Sequence, residues 1–196
     1  MSAIAAMLLC GGIAAAPVES TATVRKLLGE SFAAMQASKS FRATSVTEQG
    51  GKQVTVQNDT VWPDRFHVRS GGREFIFVPG STWMKQGRGQ WSQLPVDTSE
   101  MVKSLSPDAM KQSLANLANG KLHGADEVSG RKAIVIEYDT HATVMGIATQ
   151  SHVKVWLDAN TKLPIKQQAA GTAQGVKSKT FTQYDFVSDL KIEAPR

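Results

Sequence analysis

The sequence predicts a mainly β (α+β) protein, built on an antiparallel sheet of about eleven strands with three helices. Two groups of short segments carry this prediction, at residues 60–95 and 122–186, where apolar and polar side chains alternate. Each segment ends at a turn rich in Gly, Pro, Asn or Asp, which is the pattern of consecutive hairpins. Helical periodicity is confined to one segment before the first group and one segment between the groups.

Residues 60–95 give the strongest hairpin signal in the chain. The predicted strands here are Arg65–Arg69, Glu74–Val78, Thr82–Lys85 and Gln90–Leu94. Glycine and proline turns separate them, and Pro95 ends the last one. Phe75 and Ile76 are adjacent and must point to opposite faces, so this strand is apolar on both faces.

The remaining predicted strands extend this sheet on both sides. Phe41–Thr47 and Gln53–Trp62 form a first hairpin through Gly50 and Gly51. Later strands begin near Leu122 and include Arg131–Tyr138, Val153–Leu157, Leu163–Gln167 and Val176–Phe186, with a loop or hairpin tip expected at 139–150. Pro164 indicates a sheet edge or a bulge.

Two segments have helical periodicity. The first carries one apolar stripe, which predicts a helix packed across the sheet. Its members are Val24, Leu27, Leu28, Phe32 and Met35, after a cap at Ser20 or Thr21. The second segment, residues 98–120, breaks at Pro107, which suits the first turn of a further helix. Two interpretations of it stay open: a plain covering of the core, or a mobile lid over an apolar cavity.

Composition limits the classes of function. The 196 residues suit one domain, and the net charge of +5 comes from scattered Lys and Arg with no run of three. A nucleic-acid surface would concentrate these charges, so we expect no nucleic-acid partner. A mild positive excess is better suited to transient contact with anionic membrane surfaces.

The first sixteen residues resemble a secretory signal peptide. They contain no charge and end in Ala14, Ala15 and Ala16. The positive n-region is missing, as it would be in a truncated start. The alternative is an apolar helix retained in the fold, but Gly11, Gly12 and the following Pro17 disfavour it. We therefore expect cleavage near Ala15 and a single domain over residues 17–196, in an exported, periplasmic protein of the bacterial envelope.

The single cysteine lies within that leader. Cys10 follows Leu9, whereas a lipidated cysteine requires a small residue directly before it, so we expect no lipid anchor. The mature chain would then contain no thiol, which excludes disulfides, cysteine-bound zinc and thiol catalysis.

Strand order and turn residues together resemble the envelope lipoprotein-carrier superfamily, which includes the periplasmic lipoprotein-sorting chaperone and mycobacterial lipid-binding lipoproteins. The segments that carry the resemblance are Trp62–Phe66, Gly80–Trp83, Gln90–Pro95, Val153–Asp158, Leu163–Lys166, Tyr184–Phe186 and Ile192–Pro195. The resemblance covers residues 18–195. It implies an unclosed antiparallel β half-barrel whose concave face binds acyl chains beneath helices. The superfamily has no fixed binding motif that transfers individual positions.

An apolar concave face would gain about 0.8 kcal/mol for each acyl methylene that it buries. The strand residues predicted near that cavity are Phe66, Val68, Phe75, Phe77, Trp83 and Trp91, with Met101, Leu105, Met110 and Leu114 facing it from the lid. Each of these residues has an alternative role as plain core. The expected partner is a lipid or an acylated protein, the protein is expected to be a monomer, and no cofactor is expected.

Catalytic motifs are missing from the sequence. The four histidines are dispersed without metal-site spacing, and no nucleophile elbow or phosphate loop lies between a strand and a helix. The aspartates fall at turns or strand ends, where they serve backbone geometry. We therefore expect a carrier or chaperone that is not an enzyme. A sensor or protein-interaction module with the same fold is the alternative, and an enzyme acting on envelope lipids is a third reading.

Overall fold

The computed structural model of the protein describes residues 21–95, 109, 114–144, 147–173 and 175–195. One helix, α1 (Thr21–Ala37), precedes all the strands. The strands are β1 (Ser40–Gln49), β2 (Lys52–Val61), β3 (Arg65–Ser70), β4 (Arg73–Val78), β5 (Ser81–Gln86), β6 (Ser92–Gln93), β7 (Leu117–Val128), β8 (Arg131–Val144), β9 (Ile147–Asp158), β10 (Pro164–Ala173) and β11 (Val176–Asp185). A short 3₁₀ helix at Leu114–Asn116 leads into β7.

All eleven strands form one antiparallel sheet in the order β6-β5-β4-β3-β2-β1-β11-β10-β9-β8-β7. Consecutive strands pair within β1–β6 and within β7–β11, and the pairing of β1 with β11 joins these two groups of hairpins. The sheet is not closed, because β6 and β7 are its two ends. The predicted fold class is confirmed: the protein is mainly β, with an eleven-stranded unclosed sheet and α1 packed against it.

Strand register divides the side chains between two faces, because opposite residues of an antiparallel pair point the same way. We call the face on which α1 packs the helix face. Ile136 and Val155 are opposite each other on β8 and β9, and both join the core beneath α1. Val135 and Trp156, one position along, form a second cluster with Ile165 on the opposite face.

Helix α1 covers the helix face at the β7 and β8 end of the sheet. Its fully buried Val24 and its buried Leu28 pack against a core from the strands. The strand members of this core are Leu117, Ile136, Val153, Val155 and Leu157. Burying each such aliphatic side chain contributes about 1.5–3 kcal/mol. The stripe predicted for this helix is therefore confirmed in Val24, Leu28 and Met35, all buried.

Polar contacts fix α1 at both ends. Near its start, the Gly120 amide donates to Thr21 Oγ1 over 3.1 Å, and Arg25 Nε donates to the Leu114 carbonyl over 2.9 Å. At its other end, Trp62 Nε1 donates to the Met35 carbonyl over 3.0 Å. Because both ends are tied to the sheet, α1 is a fixed part of the fold.

Two local predictions are wrong. The second helical segment was expected to continue to Gly120, but Leu117–Val128 is strand β7, and Leu117 pairs with Thr140 of β8. Of the two alternatives for residues 139–150, a loop is wrong, since β8 continues to Val144 and β9 begins at Ile147, and the segment is the outer part of the β8–β9 hairpin. Leu114–Asn116 of the predicted lid is the 3₁₀ helix before β7, and the preceding lid residues, apart from Ala109, lie outside the described residues together with the expected signal peptide.

Candidate functional site

Strands β3, β4 and β5 place a group of large apolar side chains on the helix face, away from the core beneath α1. This apolar patch consists of Phe66, Val68, Phe75, Phe77 and Met84. Phe66 lies opposite Phe77, and Val68 lies opposite Phe75, which in turn lies opposite Met84. The rings of Phe75 and Phe77 are stacked with centroids 6.3 Å apart. The period of two along a strand produces the patch, because Phe66 and Val68 of β3, and Phe75 and Phe77 of β4, are two residues apart and share a face.

The apolar patch has a buried end and an accessible end. Phe66 and Phe77 are only 1% and 4% exposed. Val68, Phe75 and Met84 lie further towards the hairpin tips and are only half-buried. An apolar surface that is part buried and part accessible offers a continuous path for an elongated apolar ligand.

The exposed large hydrophobic residues also lie on the helix face. Among the described residues these are Val54, Leu122 and Val176, which are 47%, 40% and 46% exposed. Leu122 pairs with Ile136 of the core beneath α1, and Val54 pairs with Thr47, a residue of the same face. The most exposed large hydrophobic residues of the described part therefore lie on one face of the sheet, where a binding function would need them.

A polar band crosses the helix face between the apolar patch and the core beneath α1. Ser45 and Thr182 share a hydrogen bond of 2.8 Å, and Thr47 and Thr180 share one of 3.0 Å. Tyr184 extends the band by donating to Gln167 Oε1 over 3.3 Å. Burial raises the pKa of Tyr184 to about 12, so its hydroxyl keeps its proton. We define the polar band as these residues together with Asn58 of β2.

Aromatic rings close one end of the polar band. The ring of Phe41 lies 5.9 Å from Trp62, 6.2 Å from Tyr184 and 5.8 Å from Phe186, between centroids. Trp62 also holds the end of α1, so this cluster joins the helix to the central strands. Such tilted ring pairs contribute about 0.5–1.5 kcal/mol each beyond their buried area.

The opposite face of β1–β5 carries an ionic network, beside the apolar pair Ile76 and Trp83. Asp59, 3% exposed, accepts from Arg42 Nε over 2.6 Å and from Arg69 Nη1 over 2.9 Å. Burial raises the pKa of Asp59, but the hydrogen bonds from the two arginines outweigh it, and the net pKa is lowered. The network continues from Arg69 to His67 and from His67 to Glu74, over 2.8 Å and 2.9 Å.

A second polar cluster lies on the opposite face of β7–β9. His123 and Lys154 contact Glu137 over 2.8 Å and 3.1 Å, and His152 contacts Asp139 over 2.7 Å. Burial raises the pKa of Glu137, but Lys154 and His123 outweigh it and lower the pKa overall. A cleft of about 640 Å³ adjoins this cluster, and its lining includes the ion pair of Glu137 with Lys154 and the residues Glu48 and Lys179, which lie opposite each other on β1 and β11.

The ten sequence-predicted cavity residues fall into four groups. Phe66, Val68, Phe75 and Phe77 share the helix face. Trp83 and Trp91 do not join them: Trp83 pairs with Ile76 on the opposite face, and the Trp91 ring lies 6.0 Å from His67 of the ionic network. Leu114 packs against the core beneath α1. Met101, Leu105 and Met110 lie outside the described residues.

Sequence reasoning missed two residues of this face. Met84 follows Trp83, and an apolar residue on each side of β5 gave no sign of which one points to the helix face. Asn58 continues the period-two series of Val54 and Val56 on this face, but its polar side chain gave no reason to place it in an apolar cavity. No group of metal-ligating side chains occurs within the part of the chain that the structure describes. Within the same residues, no helix is long and apolar enough to cross a membrane.

Comparison with solved structures identifies two proteins that share the fold of this chain. No protein-family model matches the chain, and no curated protein matches it. Among solved structures, lipoprotein LppX of Mycobacterium tuberculosis matches 88% of this chain and 99% of its own, with a TM-score of 0.61 at 12% identity. LprF of Mycobacterium bovis matches 91% and 99%, with a TM-score of 0.63 at 12% identity. The chain shares the fold of these two proteins.

A weaker match is the complex of MucA and MucB from Pseudomonas aeruginosa. It covers 83% of this chain and 56% of the matched chain, at 20% identity, with a TM-score of 0.47. That score does not establish a common fold. The likeness to LppX and LprF concerns the fold alone, because only 12% of the aligned residues are identical.

Proposed function

We propose that the protein binds lipids, or the acyl chains of lipidated proteins, on the helix face of its sheet and carries them through the periplasm. The observation that carries this proposal is the apolar patch, together with the position of the exposed hydrophobic residues Val54, Leu122 and Val176 on the same face. The fold shared with a lipoprotein of M. tuberculosis supports it.

Burial of an acyl chain supplies enough free energy for reversible binding. A sixteen-carbon chain buried along the apolar patch would gain on the order of 10 kcal/mol, at about 0.8 kcal/mol per methylene. Association costs at least about 4 kcal/mol, so the expected dissociation constant is micromolar or weaker. A carrier must also release its cargo, and this range of affinity allows release to a membrane or to an acceptor protein.

The proposal includes export and a fixed place for α1. We propose that residues 1–16 are removed, that the mature chain starts near Ala15, and that the protein acts as a monomer without a cofactor. Because α1 is tied to the sheet through Thr21, Arg25 and Met35, access to the helix face is controlled elsewhere in the chain. Residues 98–120 contain the predicted lid positions. The mass of the intact protein from its native cells tests the cleavage site.

Two aromatic substitutions on neighbouring strands test the binding face. Phe75 and Trp83 are both half-buried, but Phe75 belongs to the apolar patch and Trp83 to the opposite face. We expect Phe75→Ala to weaken binding of a fluorescent sixteen-carbon fatty acid by about tenfold, from loss of roughly 1.4 kcal/mol of contact. Trp83→Ala should leave the affinity within about twofold, since only solvent-side packing changes.

Urea unfolding of both variants separates loss of the site from loss of the fold. Equal weakening by the two substitutions, at equal stability, would contradict the assignment of the helix face. If binding is saturable and Phe75→Ala does not weaken it, the ligand binds outside the apolar patch.

A further inference from the structure

Asn58 is the point on the helix face where the polar band meets the apolar patch. It lies opposite Ala43 on β1 and opposite Val68 of the patch on β3. Its Nδ2 donates to Thr60 Oγ1 over 3.4 Å, which is a long contact. Its Oδ1 is buried and has no hydrogen-bond partner among the described residues.

The other polar groups nearby are satisfied. Ser45 is paired with Thr182, and Thr47 with Thr180, so these hydroxyls use each other as partners. A buried acceptor left without a donor destabilises a protein, and natural structures seldom keep one without a use. A cargo donor that reaches the buried Oδ1 of Asn58 would therefore make the hydrogen bond that the described residues leave unmade.

We propose that Asn58 is a polar subsite for the cargo, and that it selects acyl chains attached to a hydrogen-bond donor such as an amide N–H. This inference rests on the proposed function, because the chain of the cargo must lie on the apolar patch for its linking group to reach Asn58. Val68 and Phe75 are paired directly across β3 and β4, so the patch begins beside the amide of Asn58. A ligand whose chain covers the patch would present its first polar group at this position.

The chemistry of the acceptor excludes part of the possible cargo. A carboxylate or an ester has only acceptor oxygens, so it leaves Asn58 Oδ1 unpaired. An N-acyl amide carries the N–H that Oδ1 needs, next to the carbonyl that begins the acyl chain. Amide-linked acyl chains are therefore the preferred class, ahead of simple esters and free fatty acids.

Two probes that differ in one atom test this preference. N-methylhexadecanamide and methyl hexadecanoate have the same chain and the same carbonyl, but only the amide has a donor. Each displaces a fluorescent sixteen-carbon fatty acid from the full chain, and the ratio of their inhibition constants is measured. We expect the wild type to prefer the amide by about tenfold, the usual effect of pairing a buried acceptor.

Asn58→Leu keeps the approximate size of the side chain and removes both polar atoms. We expect it to bring the ratio of the two inhibition constants close to one, to leave binding of the ester unchanged, and to preserve or raise the melting temperature, because an unpaired acceptor is removed. Thr47→Val is the matched control: its hydroxyl is already bonded to Thr180, so the preference for the amide should persist.

The outcomes distinguish failure of the Asn58 subsite from failure of the proposed lipid binding. Displacement by both probes with equal constants in the wild type would overturn the subsite and leave lipid binding standing. An amide preference that survives Asn58→Leu would also overturn it. Failure of both probes and of the fluorescent fatty acid to bind would overturn the proposed function, and the subsite with it.

Discussion

Gly120 sits where β7 supports the start of α1, and it has no room for a side chain. A methyl group there would meet Thr21 Cα at 2.7 Å and Val24 Cβ at 3.0 Å. The first contact is with backbone, which no side-chain rotation relieves, and Val24 is fully buried. Gly120→Ala must therefore move the helix, at a cost of about 1–3 kcal/mol for overpacking. Weakening the 3.1 Å bond from the Gly120 amide to Thr21 Oγ1 adds about 1 kcal/mol.

Gly29 offers the same substitution with the opposite expected sign. It lies within α1, and a methyl group there would meet only Leu114 Cδ1, at 4.0 Å. Alanine in a helix interior is favoured over glycine by about 0.5–1 kcal/mol, so Gly29→Ala should stabilise the protein by that amount.

Urea unfolding followed by tryptophan fluorescence measures both changes. We expect Gly120→Ala to lower the free energy of unfolding by about 2–4 kcal/mol and Gly29→Ala to raise it, with no change in the denaturant slope. A Gly120→Ala protein within about 0.5 kcal/mol of the wild type would refute the close packing of α1 on β7. A destabilised Gly29→Ala would refute the position of Gly29 relative to Leu114.

Three further predictions concern the ionic network on the opposite face. Asp59→Asn should lower the free energy of unfolding by about 1–3 kcal/mol, because Arg42 and Arg69 lose their shared charge partner; chemical denaturation measures it. Since folding lowers the pKa of Asp59, its contribution is complete above the ordinary value of 3.8 and disappears as the pH falls below it. Acid titration should show this loss in the wild type and a smaller one in Asp59→Asn. Burial and the nearby Arg69 lower the pKa of His67, although Glu74 opposes them, so stability should decline as the pH falls below the ordinary value of 6.5. Thermal melts across that range should show a smaller decline in His67→Gln, which cannot take up a proton.

Most of the sheet follows from alternation in the sequence. Three of the four strands predicted at residues 65–94 are found in place, because glycine or proline turns bound them, whereas the predicted strand Gln90–Leu94 is reduced to Ser92–Gln93. The pairing of consecutive strands within each group also follows, since short turns join them. The long-range pairing of β1 with β11 has no local signal, because it depends on contacts between residues such as Thr47 and Thr180, far apart in the chain.

Local periodicity failed where two patterns fit one segment. Leu114 and Leu117 have helical spacing, yet Leu117 is held in β7 by pairing with Thr140 and by the core beneath α1. Residues 139–144 and 147–150 are strand because β8 and β9 pair with each other along their length, although these residues do not alternate in polarity.

Only pairing with neighbouring strands settled the faces of the candidate site. The run Phe75–Phe77 is apolar on both faces, so sequence alone could not decide which residues share a surface. The opposition of Ile76 and Trp83 places both away from Phe75. The unpaired oxygen of Asn58 depends on the packing of several strands, which no sequence pattern describes.

Native mass spectrometry of the protein, purified without detergent from the cells that produce it, tests the central claim most directly. The account predicts a protein mass with an adduct that dissociates as a lipid or an acylated peptide. A clean protein mass, with no uptake of a fluorescent fatty acid, would contradict it. The helix face would then be filled by the protein's own residues, and a protein-interaction module would become the better explanation of this fold.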